Sequence, residues 1–216
     1  TVKKIHSYPD DRYMAFRKAA AEYLRVSPEN IIPGNGSTEL IRLFVESFIG
    51  RGDKVLIPRP TYEEYGHNCK IFGADVDFVG YDSLVNIQNL QDVKILFLCN
   101  PNNPTGKLIR RDNMLRLAGL CARYGTLFFV DEVFIELSNP KQSIADFTTR
   151  RKNIFVLRSL TKCFALSGLR IGFGVASKEI IKKLEDFRSP WNLNSIAADV
   201  GTYCLRNGAG YLNTSR

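Results

Sequence analysis

The sequence predicts an α/β fold in which a mainly parallel sheet carries helices on both faces. Short runs that are almost entirely apolar alternate with longer segments whose apolar residues recur every three or four positions. The short runs are typical of strands buried on both faces, and the longer segments are typical of the helices that connect them. With 216 residues, of which 44% are hydrophobic and 24% charged, the chain can bury the core of one large domain.

Helix and strand patterns follow one another along the whole chain. The first two helices are predicted at 13–24 and 38–49, the second with Ser37 or Thr38 as its N-cap. Further helices are predicted at 62–72, 112–124, 178–187 and 193–205, and strands at 54–57, 75–79, 94–99, 126–130, 154–158 and 171–176. No closing strand follows, so we expect the chain to be part of a longer protein.

The composition narrows the class of protein. The five cysteines are scattered without a C-x-x-C spacing, which indicates reduced thiols rather than a disulfide framework. No run reaches the roughly 18 apolar residues of a membrane span, and the first residues lack the apolar core of a signal peptide. We therefore expect a cytoplasmic protein with no membrane partner.

The net charge of +8 favours an anionic ligand. The charge is spread over the chain, and its densest cluster, at residues 150–152, is typical of a solvated turn. No zinc-finger spacing, aromatic RNA-binding signature or basic helix accompanies it, so nucleic acid is not an expected partner. The two histidines, His6 and His67, form no metal-ligand pattern, and no metal is expected.

Distinct polar segments follow three of the predicted strands. They are NPNNPTG (100–106), DE (131–132) and SLTK (159–162). Loops and helix N-termini gather beyond the carboxyl ends of parallel strands, which is where ligands bind in such sheets. We therefore expect these three segments to meet at one edge of the sheet and form a site.

Each of these segments also has a purely structural interpretation. Asn103 belongs to a sequence typical of a turn, although above the sheet edge it would present a fixed amide. Asp131 ends an apolar run, where it is either the N-cap of a helix in EVFIEL or a partly desolvated carboxylate that requires a cationic partner. Lys162 is either a surface lysine or an amine that reacts with carbonyls, which requires desolvation or a neighbouring positive charge.

The segment PGNGSTEL (33–40) runs from a glycine-rich turn into a helix, which directs free backbone N–H groups at an anion. It lacks the lysine of a nucleotide-binding P-loop, so a single phosphate fits better than a triphosphate. Arg170, just before the next strand, is either a salt-bridge residue or a second phosphate contact. An amine for an aldehyde, an acid for a ring nitrogen, an amide for a ring oxygen and a phosphate site together predict pyridoxal phosphate as the cofactor.

The motifs GNGSTE, PTYEEY, NPNNPTG, DEVF and SLTK…SGLR resemble, in this order and spacing, those of fold type I pyridoxal-phosphate enzymes of the class I/II aminotransferase family. The resemblance covers nearly the whole chain. It implies that residues 1–216 form the cofactor-binding large domain, incomplete at both ends, and that the C-terminal small domain is missing. It also implies that Lys162 binds the cofactor covalently, that Asp131 pairs with the ring nitrogen and that Asn103 bonds the ring hydroxyl.

The same resemblance implies the remaining site residues. Tyr62 would stack on the cofactor ring. Tyr8 resembles a tyrosine that reaches the phosphate of the neighbouring subunit, which implies a homodimer with shared active sites. The phosphate ligands within one chain would be Gly36, Ser37, Thr38, Ser159 and Arg170.

Two groups within the family resemble the chain most. Histidinol-phosphate aminotransferases usually carry a tyrosine three residues after the aspartate, where this chain has Phe134. Phe134, together with VLRSLTK and PWNLN, looks more like threonine-phosphate decarboxylase of cobalamin biosynthesis, which acts on a small phosphorylated amino acid. We therefore expect the decarboxylase. Histidinol-phosphate aminotransferase or another amino-acid aminotransferase is the alternative, and a cofactor-binding sensor domain of a transcription regulator is a more remote one.

Overall fold

A single seven-stranded sheet forms the centre of the structure, a computed structural model that describes residues 6–214. Its strands are β1 (Ile31–Gly34), β2 (Lys54–Arg59), β3 (Asp75–Gly80), β4 (Val93–Cys99), β5 (Leu127–Asp131), β6 (Ile154–Ser159) and β7 (Gly172–Ala176). The spatial order is β1-β7-β6-β5-β4-β2-β3. The five neighbouring strands β6, β5, β4, β2 and β3 are parallel to one another, whereas β7 runs antiparallel to both of its neighbours, β1 and β6. The predicted mainly parallel sheet is confirmed.

Helices cover both faces of the sheet. They are α1 (Met14–Leu24), α2 (Ser37–Phe48), α3 (Glu64–Ile71), α4 (Arg111–Tyr124), α5 (Leu160–Cys163), α6 (Lys178–Phe187), α7 (Ser195–Asn207) and α8 (Ala209–Thr214). Residues of α2, α3 and α6 pack on one face of the sheet, and residues of α1, α4 and α7 pack on the other. Each face of the sheet therefore has its own hydrophobic core. Alternate residues of one strand contribute to different cores: Phe97 of β4 belongs to the core under α2, α3 and α6, and Leu96 and Leu98 belong to the other.

Strand β1 was not predicted, because its sequence, IIPG, ends in two residues that are rare in strands. The structure explains why they are tolerated. Among the strands that the structure describes, β1 is at the edge of the sheet and pairs with β7 alone, so a proline without an N–H does not interrupt a central ladder. The turn predicted from residue 33 therefore begins two residues later, after Gly34.

Two of the predicted boundaries that differ from the structure concern residues near the predicted site. The N-cap of α2 is Gly36 rather than Ser37 or Thr38, since Ser37 is already the first helical residue. Helix α3 begins at Glu64, so Tyr62 lies in the loop before it and not within the helix. Within residues 6–214, no helix is both long enough and apolar enough to cross a membrane.

The five cysteines are free thiols, as their spacing predicts. Four of them, Cys69, Cys99, Cys121 and Cys163, are buried, and burial raises the pKa of each of these thiols to about 12. These four side chains therefore act as small apolar residues of the core.

Candidate active site

A cavity of about 180 Å³ opens beyond the carboxyl ends of β4, β5 and β6, next to the first turn of α2. Seven of the ten predicted site residues line it, although they come from six separate parts of the chain. The lining consists of Ser37, Thr38, Tyr62, Tyr65, Cys99, Asn103, Asp131, Val133, Phe134, Thr161, Lys162 and Arg170. The segments after the three central strands thus meet at one edge of the sheet, as expected for a parallel sheet.

Asp131 is the last residue of β5 and is 4% exposed. Its Oδ2 accepts a hydrogen bond from the Tyr65 hydroxyl at 2.6 Å, and its Oδ1 accepts one from the Val133 N–H at 2.9 Å. Burial raises the pKa of this carboxyl to about 6, although both hydrogen bonds oppose the shift. EVFIEL does not form the helix for which Asp131 was a candidate N-cap, and the structure has a short 3-10 turn there at Ile135–Leu137. Asp131 is therefore a buried carboxylate on the wall of the cavity.

Tyr65 is a site residue that the sequence reasoning did not identify. Its side chain is fully buried in α3 and stacks on Phe97 with ring centroids 5.5 Å apart. Burial and the nearby Asp131 charge raise the pKa of the phenol well above its usual value, so it remains a hydrogen-bond donor. The spacing of Tyr62 and Tyr65 in PTYEEY was the available signal, because residues three apart can face the same site.

A further part of the cavity wall lies next to the glycine-rich turn before α2. Gly36 has φ +81°, in the left-handed region that favours glycine, and a Cβ there would approach Arg170 Nη2 to 2.5 Å. Arg170 therefore lies directly against the turn, and it also lines the cavity. Ser37 and Thr38 begin α2, so their backbone N–H groups have no partner within the helix. This wall presents a guanidinium, two hydroxyls and a helix N-terminus, which together suit a phosphate.

Lys162 lies in α5, a single turn that follows β6 directly. The side chain of Lys162 is exposed and lines the cavity, while its neighbour Thr161 is buried and lines it as well. Ser159 is also buried but lies behind the cavity, where its Oγ is 2.7 Å from Thr161 Oγ1 and accepts from the Thr161 N–H. Ser159 thus caps the turn that carries the lysine.

The remaining lining residues are mostly aromatic or amide side chains. Tyr62 is half-buried, and its ring contacts Tyr65 edge-on with centroids 5.7 Å apart. Asn103 is also half-buried and lies on the loop after β4. Phe134 presents a hydrocarbon ring to the cavity three residues after Asp131.

A buried charge network lies behind the Asp131 wall. The Arg158 guanidinium contacts Glu132 Oε2 at 2.9 Å and also pairs with Glu136. Glu132 further accepts from the Ser143 hydroxyl at 2.7 Å and the Ile144 N–H at 2.8 Å. Burial raises the pKa of Glu132. Because Glu132 follows Asp131 and Arg158 precedes Ser159, these contacts fix the ends of β5 and β6 relative to each other.

Tyr8 does not line the cavity of its own chain. Its side chain is 80% exposed, and its ring packs on Trp191 with centroids 4.7 Å apart. Gly36 and Ser159 do not line the cavity either, but both support residues that do.

The chain matches a known protein family and is similar to several of its relatives. The model for "Aminotransferase class I and II" matches residues 2–214. A histidinol-phosphate aminotransferase from Caldanaerobacter subterraneus subsp. tengcongensis is 36% identical, with 96% of this chain and 60% of that protein covered. A putative threonine-phosphate decarboxylase from the same organism is 34% identical, with 94% of this chain and 58% of that protein covered. The chain thus spans about 60% of the length of these relatives.

Solved structures share the fold. L-threonine-O-3-phosphate decarboxylase from Porphyromonas gingivalis superposes with a TM-score of 0.90 at 27% identity, covering 98% of this chain and 67% of that chain. Histidinol-phosphate aminotransferase from Sinorhizobium meliloti, in complex with pyridoxal-5'-phosphate, superposes with a TM-score of 0.91 at 20% identity, covering 99% and 60%. The latter match, at that identity, establishes the fold alone. With the family model matching residues 2–214, the chain belongs to the aminotransferase class I and II family.

Proposed function

We propose that this chain is the cofactor-binding part of a pyridoxal-phosphate enzyme that acts on a phosphorylated amino acid. One observation carries the proposal. A single cavity joins the Lys162 amine, the buried Asp131 carboxylate and a wall formed by Arg170 and by Ser37 and Thr38 at the start of α2. Few ligands other than pyridoxal phosphate need all three in one place.

The residues present fit this cofactor. The wall with Arg170 and the α2 N-terminus suits its phosphate, and a side chain on Gly36 would fill the space that Arg170 occupies. Asp131 suits a protonated ring nitrogen, because a buried carboxylate with a raised pKa gains most from a nearby cation. Asn103 suits the ring hydroxyl, and the Tyr62 ring suits the ring face.

The chemistry follows from what these side chains do. When bound, pyridoxal phosphate supplies an electron sink for the bonds of the substrate's alpha carbon. Asp131 keeps the ring nitrogen protonated, which maintains that capacity. Lys162, which lines the cavity, moves a proton at the substrate's alpha carbon: it returns one after carbon dioxide has left, or it removes one in a transamination.

Of these two reactions, we propose decarboxylation of L-threonine-O-3-phosphate. Phe134 supports it, because this ring lines the cavity without the hydroxyl that histidinol-phosphate aminotransferases usually place there. Histidinol-phosphate transamination is the second candidate, and the 36% identity to such an enzyme supports it. The two relatives differ by only two percentage points of identity, so identity alone does not discriminate between them.

The reaction is tested with the whole protein and two substrates. We expect carbon dioxide from O-phosphothreonine without any requirement for a keto acid. Glutamate formed only from histidinol phosphate and 2-oxoglutarate would instead establish the aminotransferase. If neither substrate reacts, both proposals about the substrate are excluded.

The cofactor is tested by its absorption spectrum. We expect the purified protein to show a visible absorption band, and borohydride to attach the cofactor permanently to Lys162, as located by mass spectrometry. Lys162→Ala should abolish this attachment. Lys182→Ala is the matched control, because Lys182 is an exposed lysine of α6 outside the cavity. Attachment that persists in Lys162→Ala would contradict the proposed role of this lysine.

We also propose a homodimer with shared active sites. Tyr8 supports this proposal, because it is exposed and lies outside its own cavity. Its hydroxyl would serve the phosphate in the cavity of the second copy.

A further inference from the structure

A carboxylate at the start of α2 joins the glycine-rich turn to a distant loop. We call this turn, residues 35–36, the phosphate-binding turn. Glu39 is the third residue of α2, and its Oε2 accepts a hydrogen bond from the Asn35 N–H of the turn. The same oxygen accepts a second hydrogen bond, at 2.8 Å, from Nδ2 of Asn192. Asn192 belongs to the loop between α6 and α7, about 150 residues away in the chain.

The loop holds Asn192 in one orientation. Its Oδ1 accepts from Arg188 Nη1 at 2.9 Å, so both ends of the Asn192 amide are bonded. The Arg188 side chain is only 5% exposed and also bonds Glu185 and the backbone carbonyl of Asp11. Trp191 has φ +50°, a strained value for a non-glycine residue, and its N–H bonds Asp11 Oδ1 at 3.0 Å. A strained loop with this many bonds has a defined shape, which favours a specific task for Asn192.

Electrostatics argue against a direct role of Glu39 in anion binding. A carboxylate one residue after Thr38 repels a phosphate bound there, so it weakens binding unless it contributes something else. The geometry supplies that contribution, because Glu39 bonds the turn directly at Asn35, one residue before Gly36. Gly36 in turn lies against Arg170, a cation of the site.

We infer that Glu39 and Asn192 are positioning residues for the phosphate-binding turn. This inference rests on the proposed function, since it concerns the affinity of the protein for the phosphate of pyridoxal phosphate. Neither side chain lines the cavity, so neither touches the cofactor. Together they hold the turn so that its N–H groups and Arg170 converge on one phosphate.

The test compares two ligands that differ only in the phosphate. Apoprotein is titrated with pyridoxal phosphate and, separately, with pyridoxal, and binding is followed by absorbance. Glu39→Ala and Asn192→Ala should weaken pyridoxal phosphate binding about five- to tenfold, because each removes hydrogen bonds that hold the turn, and should leave pyridoxal binding unchanged. Glu39→Gln should retain most of the affinity, because its amide oxygen can accept both hydrogen bonds. Glu46→Ala, an exposed position of the same helix, is the control and should change neither affinity.

The possible outcomes separate the two proposals. An equal loss for both ligands, or no loss for either, would overturn the positioning role while leaving the proposed function intact. A wild-type protein that binds neither ligand would overturn the proposed function and this inference with it. Thermal unfolding of each apoprotein identifies any variant that has lost its fold, and Asn192→Ala, a loop substitution, then carries the test in place of Glu39→Ala.

Discussion

The ionised Asp131 carboxylate lowers the free energy of unfolding of the apoprotein. It is buried, it accepts hydrogen bonds from one phenol and one backbone N–H, and burial raises its pKa to about 6 from an ordinary 3.8. Above pH 6 the folded apoprotein therefore carries a charge that the unfolded chain solvates better. Such a cost is typical of a residue retained for function.

Asp131→Asn should stabilise the apoprotein at pH 7 by roughly 2–3 kcal/mol, because it removes the buried charge while the amide can still bond Tyr65 and Val133. The advantage should disappear as pH falls from about 6 to about 4, since Asp131 is then protonated in the folded protein and the cost is gone. Denaturant unfolding of both apoproteins across this pH range measures the difference. The variant should also bind pyridoxal phosphate more weakly. An Asp131→Asn apoprotein that is less stable than the wild-type apoprotein at pH 7 would contradict this account.

Tyr65→Phe should shift the pH dependence of cofactor binding upward by about one unit. The phenol donates to the ionised carboxylate and so lowers the pKa of Asp131, and its removal raises that pKa further. The measurement is the affinity of the apoprotein for pyridoxal phosphate as a function of pH. Tyr203→Phe, at a 67% exposed position, is the control. A uniform loss of affinity at every pH would instead indicate a packing role for Tyr65.

Single residues differ in how far the sequence reveals them. Asp131 and Lys162 each follow an apolar run, so the pattern of strands predicts that they lie near one sheet edge, and the structure brings both to one cavity. Tyr65 was not predicted, because its contact with Asp131 depends on how α3 packs over β4 and β5. Helical periodicity predicts which face of a helix is buried but not which polar group across the core it meets.

At the scale of elements, the proposed phosphate-binding turn depends on the two strands at one side of the sheet. The turn follows β1, and β1 is held by β7, whose Gly172 pairs with Gly34. Strand β7 was predicted within one residue of its observed start because it is a short apolar run. Strand β1 was not, because Pro33 and Gly34 are tolerated only by the edge position that the fold creates.

Gly172→Ala should test this arrangement. A Cβ at this position would lie 2.8 Å from the Arg158 carbonyl oxygen and 3.2 Å from the Ser37 nitrogen. Both contacts are with backbone atoms that cannot move without displacing β6 or the start of α2. We expect a loss of about 1–3 kcal/mol in the free energy of unfolding, with weaker binding of pyridoxal phosphate.

Gly119→Ala is the matched control for that substitution. A Cβ on Gly119 would have no neighbour within 4 Å, and this residue lies inside α4. Alanine should therefore stabilise the protein by about 0.5–1 kcal/mol through its higher helix propensity. Equal effects of the two substitutions on stability would contradict the role given to Gly172.

At the scale of the whole molecule, the proposed homodimer makes a prediction that a monomer cannot satisfy. Tyr8→Phe and Lys162→Ala should each be inactive or severely impaired alone. When the two variants are dissociated, mixed and allowed to reassemble, activity should recover. A mixed dimer then contains one site in which both Tyr8 and Lys162 are native. Activity of the mixture measures this directly. A mixture of Lys162→Ala and Asp131→Asn should recover nothing, since both changes affect the cavity of the chain that carries them.

The pairing of β1 with β7 has a consequence for folding kinetics. Ile31 pairs with Val175, so the edge of the sheet next to the phosphate-binding turn closes a loop of more than 140 residues. Contacts of such long range form slowly, because the entropy of loop closure is lost before the contacts compensate for it. During synthesis, β1 emerges before β7 but cannot join the sheet until β7 has been made. The turn after β1 should therefore become ordered late, and the proposed phosphate site should form only near the end of folding.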